Sequence, residues 1–151
     1  MAKSKLDKKY RIAIILLLFL ALVMVRAFES VLFYDPFIVY FEDDFLHSPI
    51  PVFSGRQLLL SMTFRYLLNS LISLVIIHVA FQNWSFTRFS IKFYLLAYVV
   101  LTVTFFIILK GELANGYLFA FYIRRFLIHP LFVLLLLPAF YYKQLTSNTI
   151  I

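Results

Sequence analysis

Leu58-Leu-Leu-Ser-Met-Thr-Phe-Arg65-Tyr-Leu-Leu-Asn69-Ser-Leu-Ile-Ser-Leu-Val-Ile-Ile-His78-Val-Ala-Phe81 is an apolar run that carries an arginine within it. A helix needs about 20 mainly apolar residues to cross the hydrocarbon core of a bilayer, so this run is long enough to span. An ionised side chain at that depth costs roughly 2.5 kcal/mol or more unless it is paired or wetted. A second run, Tyr117–Tyr142, holds the adjacent pair Arg124 and Arg125. Something must hold these guanidinium groups, and whatever holds them is the lead to function.

The rest of the chain has the same character. Of its 151 residues, 64% are hydrophobic and only 14% charged, more apolar surface than a soluble fold can cover. The length allows one compact helical domain over residues 1–151, with no separate soluble domain. The absence of cysteine excludes disulfides, thiolate metal sites and a cysteine nucleophile. The net charge of +7 does not point to nucleic acid, because the basic residues are split between one terminus and the apolar runs and form no soluble basic face. Lys3, Lys5, Lys8, Lys9 and Arg11 precede the apolar stretch Ile12–Val25 and place the N-terminus on the cytoplasmic side. Arg26-Ala27-Phe28-Glu29 is a poor cleavage site, so this stretch reads as an uncleaved first helix and not a signal peptide.

Hydrophobic runs predict spans over roughly 11–33, 57–82, 89–110 and 117–142. The expected fold is all-α: an integral membrane four-helix bundle with both termini inside and a long outer loop between spans one and two. Loop charges agree, since Tyr34–Arg56 is acidic whereas the turn near Asn83–Lys92 carries Arg88 and Lys92. In the outer loop, Asp35-Pro36 and Ser48-Pro49-Ile50-Pro51 break helix, and the aromatic Phe37–Phe41 between them reads as a re-entrant or interfacial segment. The connection Gly111–Gly116 is a tight turn, which makes spans three and four neighbours.

At about 1.5 Å per residue, Arg65, Arg124 and Arg125 fall at one level in the outer half of the bundle. Arg26 and Glu29 lie above them, near the outer end of span one. Arg65 and Asn69 are four apart, as are Arg125 and His129, while Arg26 and Glu29 are three apart, so each pair shares a helix face. Faces bearing charge should converge on the interior. Yet three deep arginines meet one intramembrane carboxylate, Glu29, with Asp35 where the outer loop begins. The imbalance implies a missing anion: a phosphate, a carboxylate or an acidic residue of another protein, for which the guanidinium fork is suited. Two plainer readings stand beside this one. Arg65 could bridge Glu29 or Asp35 and only pin helices together. One of Arg124 and Arg125, which point about 100° apart, could snorkel toward headgroup phosphates.

The remaining candidates are histidines. His129-Pro130 predicts a kink in span four beside a titratable ring. His78 near the inner end of span two and His47 in the outer loop have no evident partner, and no metal-ligand spacing occurs, so neither a metal nor another cofactor is expected.

The blocks Arg26-Ala-Phe-Glu-Ser-Val-Leu-Phe-Tyr-Asp-Pro-Phe37, Phe64-Arg-Tyr-Leu-Leu-Asn-Ser-Leu-Ile-Ser-Leu74 and Phe121-Tyr-Ile-Arg-Arg-Phe-Leu-Ile-His-Pro-Leu131 resemble the exosortase F system-associated membrane protein family. The likeness extends over almost the whole chain in length, order and hydropathy. It implies a multi-pass protein of the bacterial inner membrane with its outer loop in the periplasm. Its partner would be exosortase F, a membrane transpeptidase acting on C-terminal sorting tails, or the substrate tail itself. Arg26, Glu29, Asp35, Arg65, Asn69, Arg124 and Arg125 fall in the matching blocks, and with His129 they form the expected binding surface for an acidic partner or anionic lipid. Three functions remain open. The leading one is a non-catalytic accessory subunit. The alternative is a small membrane enzyme acting on a lipid-linked or sorted-protein substrate, with His129 or Glu29 as acid or base. The last is a structural bundle whose arginines only fix packing.

Overall fold

A computed structural model describes residues 7–33, 35–42, 52, 54–111 and 117–149. The elements run in the order α1 (Lys8–Ala27), α2 (Glu29–Leu32), α3 (Phe37–Glu42), α4 (Gly55–Phe81), α5 (Trp84–Lys110), α6 (Tyr117–Ile128) and α7 (Leu131–Thr149), with no strand among the described residues. Three helices, α1, α4 and α5, are long and apolar enough to cross a membrane, and α6 with α7 makes a fourth if the bent pair is one span. His47, Asp43, Asp44, the Ser48–Pro51 segment and most of the Gly111–Gly116 connection lie outside the described residues, as do Lys3 and Lys5.

The side-chain distribution on α4 is the reverse of a soluble helix. Arg65, Asn69, Ser70 and Ser73 are buried, whereas Leu60, Phe64, Leu67 and Leu71 are exposed. Polar groups cannot be left facing hydrocarbon, so inward polar groups and outward leucines are the distribution that suits a membrane-spanning helix. α1 and α5 likewise expose Leu16, Leu17, Leu20, Leu95, Leu96, Val99 and Val103. A helix apolar on all sides that is not buried in protein requires an apolar surrounding medium.

α4 is the central element, touching α1, α5, α6 and α7, while α5 also packs against α6. Hydroxyl groups join α4 to α5: the Tyr66 hydroxyl donates to the Tyr94 carbonyl at 2.7 Å, and the Thr63 and Tyr98 hydroxyls lie 2.5 Å apart. Such interhelical hydrogen bonds hold membrane helices where no hydrophobic force does. At the C-terminal end of α4, Arg11 of α1 donates to the Val79 and Ala80 carbonyls in the last turn, which lack helical donors. Gln82, at φ 47° in the left-handed region, then reverses the chain, and Asn83 caps α5 by accepting from the Ser85 amide at 2.9 Å. The cap starts α5 at Trp84, five residues before the expected boundary, so Arg88 and Lys92 belong to its first turns and not to a connecting turn.

Two other expectations change. The first span is not one helix to residue 33, because the chain turns at Phe28 before the single turn of α2. The fourth is broken, not merely kinked: α6 and α7 meet at 67° across His129-Pro130. Pro130 has no amide hydrogen, so the Phe126 carbonyl loses its helical donor. Asn69 of α4 satisfies another orphan at the break, donating from Nδ2 to the Ile128 carbonyl at 2.9 Å. Aromatic rings seat α7 beyond the bend. Phe132 lies edge-on to Phe93 and Tyr94, and Phe140 stacks on Phe86 at 4.7 Å. Replacing Asn69 with leucine leaves a buried carbonyl unpaired and is expected to cost about 1–3 kcal/mol, read as a lowered midpoint in thermal or denaturant unfolding in detergent.

Candidate functional site

The short helices after α1 exist to bring carboxylates to α4. The turn at Phe28 leads into α2, from which Glu29 ion-pairs with Arg65. Asp35 follows, and its Oδ1 accepts from the Phe37 amide at 3.1 Å, which starts α3 immediately after Pro36. Phe37 is fully buried with its ring edge-on to Phe105 of α5 at 6.2 Å. This anchor turns Phe37, in the segment expected to be re-entrant or interfacial, into the core and carries the Asp35 side chain into the protein, where it is 1% exposed.

Asp35 is therefore much of the anion that seemed to be missing. Its Oδ2 lies 2.5 Å from Arg124 Nη2 and 3.6 Å from Arg65 Nη1, so one carboxylate joins α6 to α4. Arg65, itself 2% exposed, places its guanidinium 5.5 Å from the centre of the Phe33 ring. Cation–π contact adds to two ion pairs there. The expectation that Arg65 and Arg124 converge is met, through Asp35. Glu29 and Asp35 balance Arg65 and Arg124 in charge, two against two.

Arg124 and its neighbour have separated roles. Arg124 is buried against Asp35, whereas Arg125, roughly 100° around the helix, is exposed. Arg125 lines a cleft of about 240 Å³ with Arg26, Glu29, Glu42, Arg124, His129 and the apolar Ile38, Phe121 and Ile128. Arg26 Nη1 lies 3.4 Å from His129 Nδ1, which joins the end of α1 to the α6–α7 break. Neither Arg26 nor Arg125 has a carboxylate partner among the described residues. Of the predicted binding residues, Arg26, Glu29, Arg124, Arg125 and His129 line the cleft directly. Arg65 and Asp35 lie beneath it and hold its walls. Asn69 is not part of it, because its side chain is committed to the Ile128 carbonyl.

Sequence reasoning passed over Glu42 and Phe33. Glu42 read as part of a distant acidic loop, and only the folding of α3 brings it to the cleft. Phe33 carried no signal of its own, being one of 19 phenylalanines. His78 also gains a partner, with Nδ1 3.1 Å from Thr87 Oγ1 and its ring edge-on to Trp84, and it serves the α4–α5 turn far from the cleft. Among the described residues the cleft is lined by no hydroxyl or thiol side chain, and the polar groups it offers are guanidinium, carboxylate and imidazole, which can bind anions and exchange protons. No protein-family model, curated protein or solved structure matches the chain.

Proposed function

We propose that this protein is a non-catalytic accessory subunit of an exosortase F-type sorting system, whose arginine-rich cleft engages an anionic group on its partner or in the surrounding lipid. The reading takes α6 and α7 as one broken span, giving a four-helix bundle with both termini in the cytoplasm and the cleft on the periplasmic side of the inner membrane. The loop charges and the Arg-Ala-Phe-Glu, Arg-Tyr-Leu-Leu-Asn and Arg-Arg-Phe-Leu-Ile blocks support it. The observation that carries it is the division of labour among four arginines. Arg65 and Arg124 are neutralised internally, while Arg26 and Arg125 line an open cleft without carboxylate partners among the described residues. Guanidinium groups left unpaired in this way are suited to an external carboxylate or phosphate. Among the described residues the lining holds no side-chain hydroxyl to act as a nucleophile, which favours binding over group transfer.

The test is co-purification of the tagged protein from its native membrane, with bound proteins identified by mass spectrometry. A sortase-like membrane protein should accompany the wild type. Arg125→Ala, at an exposed position, should reduce its recovery about tenfold, the effect of losing one charge-assisted hydrogen bond, while the variant itself unfolds like the wild type. Equal recovery with both proteins would remove the cleft from the interaction. Recovery of no sortase-like protein with either would remove the accessory role.

A further inference from the structure

The polar cleft does not end at Arg26 and His129. The same two side chains also border an apolar groove of about 210 Å³ between α1 and α7, lined by Leu22, Val23, Pro130, Val133 and Leu134 among others. Each space alone is smaller than the ~300–1,000 Å³ of small-molecule sites, so a ligand of that size would have to occupy both. One end offers cations and the other only hydrocarbon, which is the complement of a molecule with an anionic head and an apolar tail.

Charge narrows the head. Within the cleft, Glu29 is neutralised by Arg65 and Arg124 by Asp35. Among the described residues, Arg26 and Arg125 then stand against Glu42 alone, which leaves one net positive charge with the imidazole neutral. A phosphodiester carries one negative charge and accepts paired donors from guanidinium. The seam adds donors of another kind. α7 begins at Leu131, beside the shared Arg26 and His129; the Leu131 amide donates to the His129 carbonyl at 2.8 Å, and the other first-turn amides have no partners within the helix. In discontinuous membrane helices such ends serve anionic groups. Val23 and Leu134 are more than half exposed on the membrane-facing surface, so the groove is open to lipid along its length.

We infer that the joined site binds one phospholipid, with its phosphate against Arg26 and Arg125 and an acyl chain in the groove between α1 and α7. This rests on the proposed reading of the cleft as an anion-binding surface, and it names the anion. An acidic peptide or free phosphate would use the polar cleft without the groove.

The test is lipid binding to the full-length, delipidated protein in detergent, followed by native mass spectrometry with three probes: phosphatidylglycerol, diacylglycerol with the same chains, and inorganic phosphate. One phosphatidylglycerol should bind, about tenfold more tightly than diacylglycerol. Arg26→Gln with Arg125→Gln should weaken it about tenfold, and Leu134→Trp, which fills the groove from an exposed position, should also weaken it with helicity unchanged. Equal retention of phosphatidylglycerol and diacylglycerol overturns the inference, as does wild-type binding by both Leu134→Trp and Val23→Trp. Displacement of the lipid by inorganic phosphate equally from the wild type and Leu134→Trp overturns it too, since the tail would then contribute nothing. Partner recovery is scored separately. A sortase-like partner without a retained phospholipid overturns this inference alone, and a retained phospholipid without the partner overturns only the accessory role.

Discussion

Arg65→Ala is expected to destabilise the protein by about 3–5 kcal/mol, enough to remove most of it from the membrane fraction. The loss does not measure the strength of the native ion pairs. A buried pair returns little net stability, because desolvation of both ions offsets their attraction. Deleting one member is different, since it leaves Glu29, at the cleft wall, without its cation and the buried Asp35 with Arg124 alone. The cation–π contact with Phe33 disappears as well. Unfolding midpoints in detergent, compared with those of Arg125→Ala, provide the check. The neighbouring exposed arginine should cost less than about 1 kcal/mol. A double variant, Arg65→Met with Glu29→Gln, should recover part of the loss, because it removes an uncompensated charge as well as a partner. If the double variant is no more stable than Arg65→Ala, the damage comes from packing and not from the stranded carboxylate.

Asp35→Ala should be as damaging, for two reasons that can be separated. It strips Arg124 and Arg65 of a shared carboxylate, which leaves guanidinium charge buried at the junction of α4 and α6. It also removes the acceptor for the Phe37 amide and so weakens the start of α3. We expect a loss of about 3–5 kcal/mol from the charge, with about 1 kcal/mol more from the cap. Asp35→Asn keeps an oxygen for the Phe37 amide and loses the charge, so it should retain protection of Phe37–Glu42 against hydrogen exchange better than Asp35→Ala does. Both variants should unfold well below the wild type, with the midpoint of Asp35→Asn a few degrees above that of Asp35→Ala. Equal exchange of α3 in both would show that the ion pairs, not the Asp35 cap, hold this segment against Phe105.

Both predictions concern residues visible from the sequence alone, and they show how far its reading extends. Long apolar runs, the level shared by Arg65 and Arg124, and the turn at Asp35-Pro36 follow from local chemistry: hydropathy, rise per residue, and the backbone restriction before proline. Local chemistry also required that the deep arginines be paired. It could not say with what. Asp35 read as a residue of the outer loop, and it becomes the central anion only because Phe37, two residues on, is buried against Phe105 more than 60 positions away.

The break in the fourth apolar run shows the same division. Proline at 130 determined that a helical hydrogen bond would be lost there. The 67° bend and its support depend on α4, which supplies Asn69 to the Ile128 carbonyl, and on the ring contacts of Phe132 and Phe140. Asn69 shares a helix face with Arg65, which made it look like part of an anion site, yet its amide is used to close a helix end. Arg124 and Arg125 are adjacent and chemically identical, and only the position of Asp35 makes one an ion-paired, buried group and leaves the other exposed at the cleft. Which groups had to be neutralised follows from the order of residues along the chain, because the cost of a charge in hydrocarbon is a property of the side chain and its depth. Tertiary structure alone decided which charges were neutralised internally and which were left at the cleft, because pairing depends on distances of a few ångströms between residues far apart in the chain.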